Sequence, residues 1–266
     1  MATPNAAPRA ATARERVRAE LSREIREEAR RQLAASGAGG LSLRAVAKAL
    51  GMVSSALYRY YPSRDDLLTV LIIDAYDALG AAAETAAGQA GPARERWIAA
   101  CHAVRDWALA NPHEYALVYG SPVPGYRAPE ATIGPAARVP LAFAGLLSEA
   151  LARGELAGPG EADTAGTAAG ALPVTGPLAA QADALSAALA RPVPGPGGAA
   201  DDAGEAGGAA PAALPPDVLV RAVIAWTQLF GMISFELFGQ FVGSFEPADA
   251  LFGHAAKQLA AFVGLR

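Results

Sequence analysis

Residues 42–61 read SLRAVAKALGMVSSALYRYY, two short amphipathic runs joined at a glycine. In the first, Leu43, Val46, Ala47 and Leu50 fall at i, i+3, i+4 and i+7, which places apolar side chains on one helical face; Ser42 can cap it and Gly51 ends it. The second run starts around Val53 or Ser54 and reaches Tyr61, because Pro62 disfavours helical geometry at the residue before it. Two helices joined by such a turn form a helix-turn-helix. Its second helix fits a DNA major groove about 12 Å wide while the first crosses the backbone. Leu57 and Tyr61, four apart, point inward, leaving Ser54, Ser55, Tyr58, Arg59 and Tyr60 available. Hydroxyls and phenols bond phosphates or base edges, and Arg59 or Arg44 can make the two-pronged contact to guanine.

Upstream, Val17, Leu21, Ile25, Ala29 and Leu33 recur every four residues among Arg and Glu, predicting an amphipathic helix from 13 to about 36 that Gly37, Gly39 and Gly40 stop. Its Arg/Glu runs read as a solvated, ion-paired face, with Arg9, Arg14, Arg16 and Arg18 as a candidate basic arm toward phosphate or minor groove. Residues 1–12, rich in Ala and Pro, read as a disordered arm. Downstream, Ser63 with Asp66 makes a capping box for a fourth helix that fades near Ala87. Further helices are expected at 93–110, from Pro112 to Tyr119, and at about 135–153 after a Pro/Gly-rich loop. One or two weaker ones, broken by Pro173 and Pro177, are expected within 161–189. Residues 192–216 read as a mobile low-complexity loop. The run from 217 to about 241 is apolar nearly all round and must be buried on most sides, in a bundle or against a second subunit; a last helix spans 247 to about 264. No strand pattern occurs.

The formal charge of −4 over 266 residues hides an asymmetry: residues 1–64 carry 12 basic and 5 acidic side chains, +7, and the remainder is −11. A basic head on an acidic body suits a polyanion at one end and another task at the other. A single Cys101 excludes an internal disulfide, and three histidines give no recognisable metal spacing. The first 40 residues lack an apolar signal core, and the uncharged run 222–235 is shorter than the ~20 residues a spanning helix needs, so a cytoplasmic protein with no membrane segment is expected. Nucleotide-loop and nucleophile-elbow motifs are absent, and Cys101-His102, adjacent on a helix, point about 100° apart and make a poor nucleophile–base pair. No enzyme, cofactor or metal is expected.

The residues from Leu41 to Gly51, with Ala56-Leu57-Tyr58-Arg59-Tyr60-Tyr61-Pro62-Ser63-Arg64-Asp65-Asp66-Leu67-Leu68, strongly resemble the TetR family of bacterial transcriptional regulators. The resemblance covers about 13–80 and implies an all-α homodimer: an N-terminal three-helix helix-turn-helix domain (13–62) and a C-terminal helical ligand-binding and dimerisation bundle (63–266). It implies that Ser42 and Tyr60 contact phosphate, that Arg64 binds phosphate at the start of helix four, and that Arg44, Ser54, Ser55 and Tyr58 face the groove. The family usually has a polar cap where Val53 stands, so the helix start can shift to Ser54.

In the body, Trp107, Tyr115, Tyr119, Trp226 and Phe230 are candidates to line a ligand cavity, with core packing as the alternative for each. Glu236 and Gln228, eight apart, can orient a ligand, bridge a dimer seam or pair within the fold. Together these features predict a ligand-responsive regulator bound to double-stranded DNA, a repressor released from a pseudo-palindromic operator by a small-molecule effector. The alternative is a helical small-molecule-binding protein without operator recognition.

Overall fold

The computed structural model describes residues 13–157, 173–189 and 213–266, and among these it contains helices and no strand. The helices are α1 (Ala13–Ser36), α2 (Leu43–Ala49), α3 (Ser54–Leu57), α4 (Arg64–Ala87), α5 (Ala93–Ala110), α6 (Pro112–Tyr119), α7 (Ile133–Ala152), α8 (Gly176–Leu189), α9 (Pro216–Leu237) and α10 (Asp249–Phe262). They form two compact units that divide inside α4, after Ile72; the segment Ser121–Arg127 belongs to the first. The arm at 1–12, the 161–172 part of the weak helical region and most of the loop at 192–216 lie outside the described residues.

In the first unit α2 packs on both α1 and α3. The α1 stripe is buried only from Ile25 through Ala29 to Leu33; Val17, expected to share it, is 68% exposed. Gly51 carries the turn at φ 65°, a conformation that L side chains rarely adopt, and the Met52 N–H closes it on the Ala47 carbonyl at 2.8 Å. Half of the capping box forms: the Ser63 hydroxyl accepts from the Asp66 N–H at 3.1 Å, while the Asp66 carboxylate accepts from the Ser63 hydroxyl at 2.7 Å in place of its backbone N–H. In the loop that returns from the body, the Tyr126 hydroxyl meets Thr69 Oγ1 of α4 at 2.9 Å, an anchor the sequence did not announce.

The second unit is organised around α5, which packs against α6, α7, α9 and α10. Trp97 lies edge-on to Phe143 of α7 at 4.7 Å. Arg105, only 4% exposed, donates Nε and Nη2 to the two carboxylate oxygens of Glu236 on α9 at 2.7 and 2.6 Å, and Nη1 to Asp249 of α10 at 3.0 Å. Its guanidinium sits 5.0 Å from the Phe252 ring centroid. The Glu236 hydrogen bonds raise its pKa further above the usual arginine range and outweigh the opposing effect of burial. Arg138 of α7 grips α4 in the same manner, bonding both Glu84 oxygens at 2.8 and 2.6 Å and the Asp77 carboxylate at 2.8 Å. Gly80 permits that approach, since a Cβ there would come within 2.6 Å of the Arg138 Cβ.

Four expectations change. The helix begun near Ser54 does not reach Tyr61: α3 is one α-turn, after which the Arg59 and Tyr60 N–H groups bond three residues back, to Ala56 and Leu57. Pro177 sits in the first turn of α8, where its missing N–H costs nothing, and so opens a helix instead of breaking one. The tail of the 192–216 loop is structured: Leu214 is buried, its carbonyl accepts from Ser186 at 3.2 Å, and Pro216 begins α9. Finally, α9 ends at Leu237 instead of near residue 241; within the single chain Val223, Ile224 and Phe235 are exposed, as are Phe238, Val242, Phe245 and Phe262 beyond it, the face for which the sequence reading also named a second subunit.

Two helices, Glu130–Ala152 and Pro216–Leu237, have the length and apolar character of a membrane span, the second longer than the uncharged run suggested because it includes Asp217, Arg221 and Glu236. All three are ion-paired within the unit, Asp217 with Arg221 at 2.9 Å and Glu236 with Arg105.

Leu57→Ala is expected to lower unfolding free energy by about 2–5 kcal/mol and Val17→Ala by less than about 0.5, measured by chemical denaturation. In the same assay Glu236→Gln, which removes the charge of the two-pronged partner and leaves a buried guanidinium only the mostly exposed Asp249 as counter-charge, should cost about 3 kcal/mol, and Asp249→Asn under about 1.

Candidate functional site

Between Gly37 and Pro62 the chain has no Asp or Glu, so α2 and α3 meet solvent with Arg44, Lys48 and Arg59 uncompensated on their own segment. Leu57 and Tyr61 are buried as expected, and this inward pair holds the short α3 against the unit. Ser55, Tyr58 and Arg59 are consequently exposed, Tyr58 by 42%, while Ser54 and Tyr60 are half-buried. Val53 precedes α3 without a side-chain cap and is 69% exposed, so Ser54 is the first helical residue.

Ser42 caps α2 through an Ala45 N–H at 3.4 Å, and its own N–H donates to Gln32 Oε1 at 3.2 Å. An open groove of about 440 Å³ is lined by Leu41, Ser42, Leu43, Arg44, Tyr58, Pro62, Ser63 and Arg64. It brings together four of the eight expected DNA-facing residues, Ser42, Arg44, Tyr58 and Arg64. Pro62 and Ser63 were read only as punctuation and cap, since nothing in one-dimensional spacing brings them beside Arg44. Arg64 is committed elsewhere: Nε donates to the Leu41 carbonyl at 3.2 Å and Nη2 to that of Ala38 at 2.6 Å, stitching the start of α4 to the chain before α2. Tyr60 lies outside the groove, its ring centroid 5.7 Å from the Arg18 guanidinium of α1. The α1 charges pair as read, Arg23 with Glu20 and Glu27, and Arg31 with Glu28.

In the second unit four of the five pocket candidates converge. Tyr119 stands 4.2 Å from Phe230 between ring centroids and stacks on Tyr115 at 5.3 Å, while Trp226 lies 5.5 Å from Phe230. Tyr76 of α4 meets Tyr119 edge-on at 6.0 Å and Phe238 approaches Tyr115 at 6.4 Å; neither was singled out, because Tyr76 reads as one more member of an apolar stripe. Trp107 packs against the core of the unit without a ring partner among the described residues. The Tyr115 hydroxyl donates to the Phe230 carbonyl at 3.1 Å and bonds Ser234 Oγ at 2.9 Å. Burial raises the pKa of both Tyr115 and Tyr119, the latter also feeling the neighbouring phenols of Tyr76 and Tyr115. The Trp226 indole nitrogen is buried without a hydrogen-bond partner among the described residues. Glu236 is spent on Arg105, and Gln228 is exposed on α9, so the two do not act as a pair. Cys101 is fully buried, and burial pushes its thiol pKa up, away from nucleophilic use.

Residues 97–259 match the family described as tetracyclin repressor-like, C-terminal domain, and residues 25–71 match the bacterial regulatory proteins of the tetR family. HTH-type transcriptional regulators of Mycobacterium bovis and Mycobacterium tuberculosis are each 48% identical over 144 residues, 52% of this chain. The chain spans 61% of the length of those relatives. A solved protein described provisionally as regulatory is 32% identical with a TM-score of 0.64, over 94% of this chain and all of that one. A TetR family transcription regulator from Marinobacter aquaeolei, 17% identical over 94% of this chain and all of that one, shares the fold at a TM-score of 0.56. The match at both ends, to the helix-turn-helix and to the helical body, establishes that this chain belongs to the TetR family of bacterial transcriptional regulators.

Proposed function

We propose that the chain is a cytoplasmic homodimeric repressor that leaves a pseudo-palindromic operator when a small molecule binds its second unit. The observation that carries the DNA half is the acid-free surface of α2 and α3, where Arg44, Ser55, Tyr58 and Arg59 are exposed over a buried Leu57 and Tyr61. In this reading Ser42 and Tyr60 contact phosphate and Arg44, Ser54, Ser55, Tyr58 and Arg59 meet the groove. Arg64, with its donors on two carbonyls, positions the groove wall. Two copies reading half-sites about 34 Å apart need a dimer, and the exposed apolar surface of Val223, Ile224, Phe235 and Phe262 on α9 and α10 supports one. Release follows by linkage: an effector that prefers the conformation in which the two reading heads no longer match successive grooves must weaken DNA binding. No catalytic step, cofactor or metal enters this reading.

An operator recovered by selection from random-sequence duplexes supplies the test. Arg44→Ala and Tyr58→Ala should each weaken binding by about fivefold to a hundredfold in fluorescence anisotropy while leaving the melting temperature unchanged. Each lost phosphate contact should reduce the slope of log affinity against log salt by about 1. A folded double variant that binds as tightly as the parent, or a parent that retains no DNA at low salt, would refute the mapping and favour the ligand-binding alternative. Ile224→Asp with Phe235→Asp is expected to give a monomer by light scattering and to lose operator binding in parallel; a parent that is monomeric at micromolar concentration removes the dimer.

A further inference from the structure

If the chain is the effector-released regulator proposed above, its second unit must hold a ligand, and the ring cluster of that unit carries a chemical signature for one. Tyr76 from α4, Tyr119 from α6, and Trp226 and Phe230 from α9 bring aromatic surfaces within 4.2 to 6.0 Å of a ring neighbour. Buried polar groups in folded proteins almost always have a partner, yet the Trp226 indole N–H beside these rings has none among the described residues. The other such indole, Trp97, lies deep in the core against Phe143, whereas Trp226 keeps part of its ring at the surface with its N–H covered, so a ligand meets that donor by displacing the side chains over it.

We propose that this cluster is the effector site and that its effector is an uncharged, flat, largely apolar molecule with a hydrogen-bond acceptor of the ketone or ester carbonyl type, which accepts from Trp226 Nε1.

Each part of that class has a physical reason. Stacked and edge-on rings reward a planar apolar body. The weakly polar surroundings that raise the Tyr115 and Tyr119 pKa values also penalise an anion. A box of Tyr, Trp and Phe would suit an organic cation, but a cation leaves the indole donor unsatisfied and meets the positive end of its dipole. An acceptor satisfies the donor and keeps the stacking. The ligand also touches regulation directly, because the Tyr76 hydroxyl donates to the Val118 carbonyl at 3.3 Å. A molecule seated among Tyr76, Tyr119 and Phe230 competes with this link between α4 and α6.

The full-length chain is titrated calorimetrically with acetophenone, 2-acetylnaphthalene and 2-acetylanthracene. Controls of matched shape are 2-ethylnaphthalene without an acceptor, 2-naphthoate as the anion and a trimethyl(2-naphthyl)ammonium salt as the cation. The expected result is binding of at least one ketone, with 2-acetylnaphthalene about fivefold to tenfold tighter than its ethyl analogue. Trp226→Phe should abolish that ratio and Trp107→Phe preserve it. In the parent protein the Trp226 indole N–H resonance, assigned by its loss in Trp226→Phe, should move downfield with ketone and not with the ethyl compound, a readout that does not depend on the variant's affinity. Absence of binding by all three ketones, tighter binding of the charged probes, or a ketone preference that survives Trp226→Phe would each overturn the assignment. A ketone that binds with this signature without loosening the selected operator overturns its effector role. Failure of the ligand-free chain to bind any duplex would count against the regulator reading instead, and the probe preference would still be measurable.

Discussion

A guanidinium almost wholly removed from water must have its charge answered, and Arg105 meets that demand by drawing three helices to one point. Its partners come from α9 and α10, while its own helix also packs on α6 and α7. The bond to Glu236 is two-pronged and Phe252 covers the guanidinium, so the crossing of α9 over α5 is constrained in register as well as in distance. The ring cluster depends on that register. Phe230 and Ser234, the partners of the Tyr115 hydroxyl, stand on the same helix as Glu236, and a one-residue slide of α9 would unmake both sets of bonds.

The helical layout was largely legible because its punctuation is chemical. Ser42 and Ser63 cap, Gly51 turns, and Asn111-Pro112 restarts a helix, and in each case one residue type acts on its immediate neighbours. The readings that missed needed information from distant parts of the chain. The short α3 is tightened into bonds three residues apart where the pattern alone had an α-helix continuing to Tyr61. Pro177 has two local readings, breaker or opener, and local sequence cannot decide between them.

Partnership across the fold was less legible than position along it. Arg64 looked like a free cation at a helix start because the carbonyls it serves, those of Ala38 and Leu41, lie more than twenty residues earlier. The resemblance named Tyr60 as a phosphate contact, but its closeness to Arg18 could not be read, and Tyr76 was hidden in an apolar stripe. By contrast, Tyr115, Tyr119, Trp226 and Phe230 could be nominated from residue type alone, since large rings in a helical body must gather somewhere. Trp107, with the same credentials, packs on the same core without a ring partner among the described residues. Glu236 was correctly suspected of having a partner, but the partner's identity required the third dimension.

The brevity of α3 divides labour among very few residues. Its hold on the protein rests on Leu57 and Tyr61, while Ser55, Tyr58 and Arg59 contribute little to that anchorage. Descendants of such a gene can exchange those outward side chains at small thermodynamic penalty, because the retained pair keeps the scaffold intact. A duplicated copy is therefore free to drift toward new target sites while its folding remains that of the ancestor.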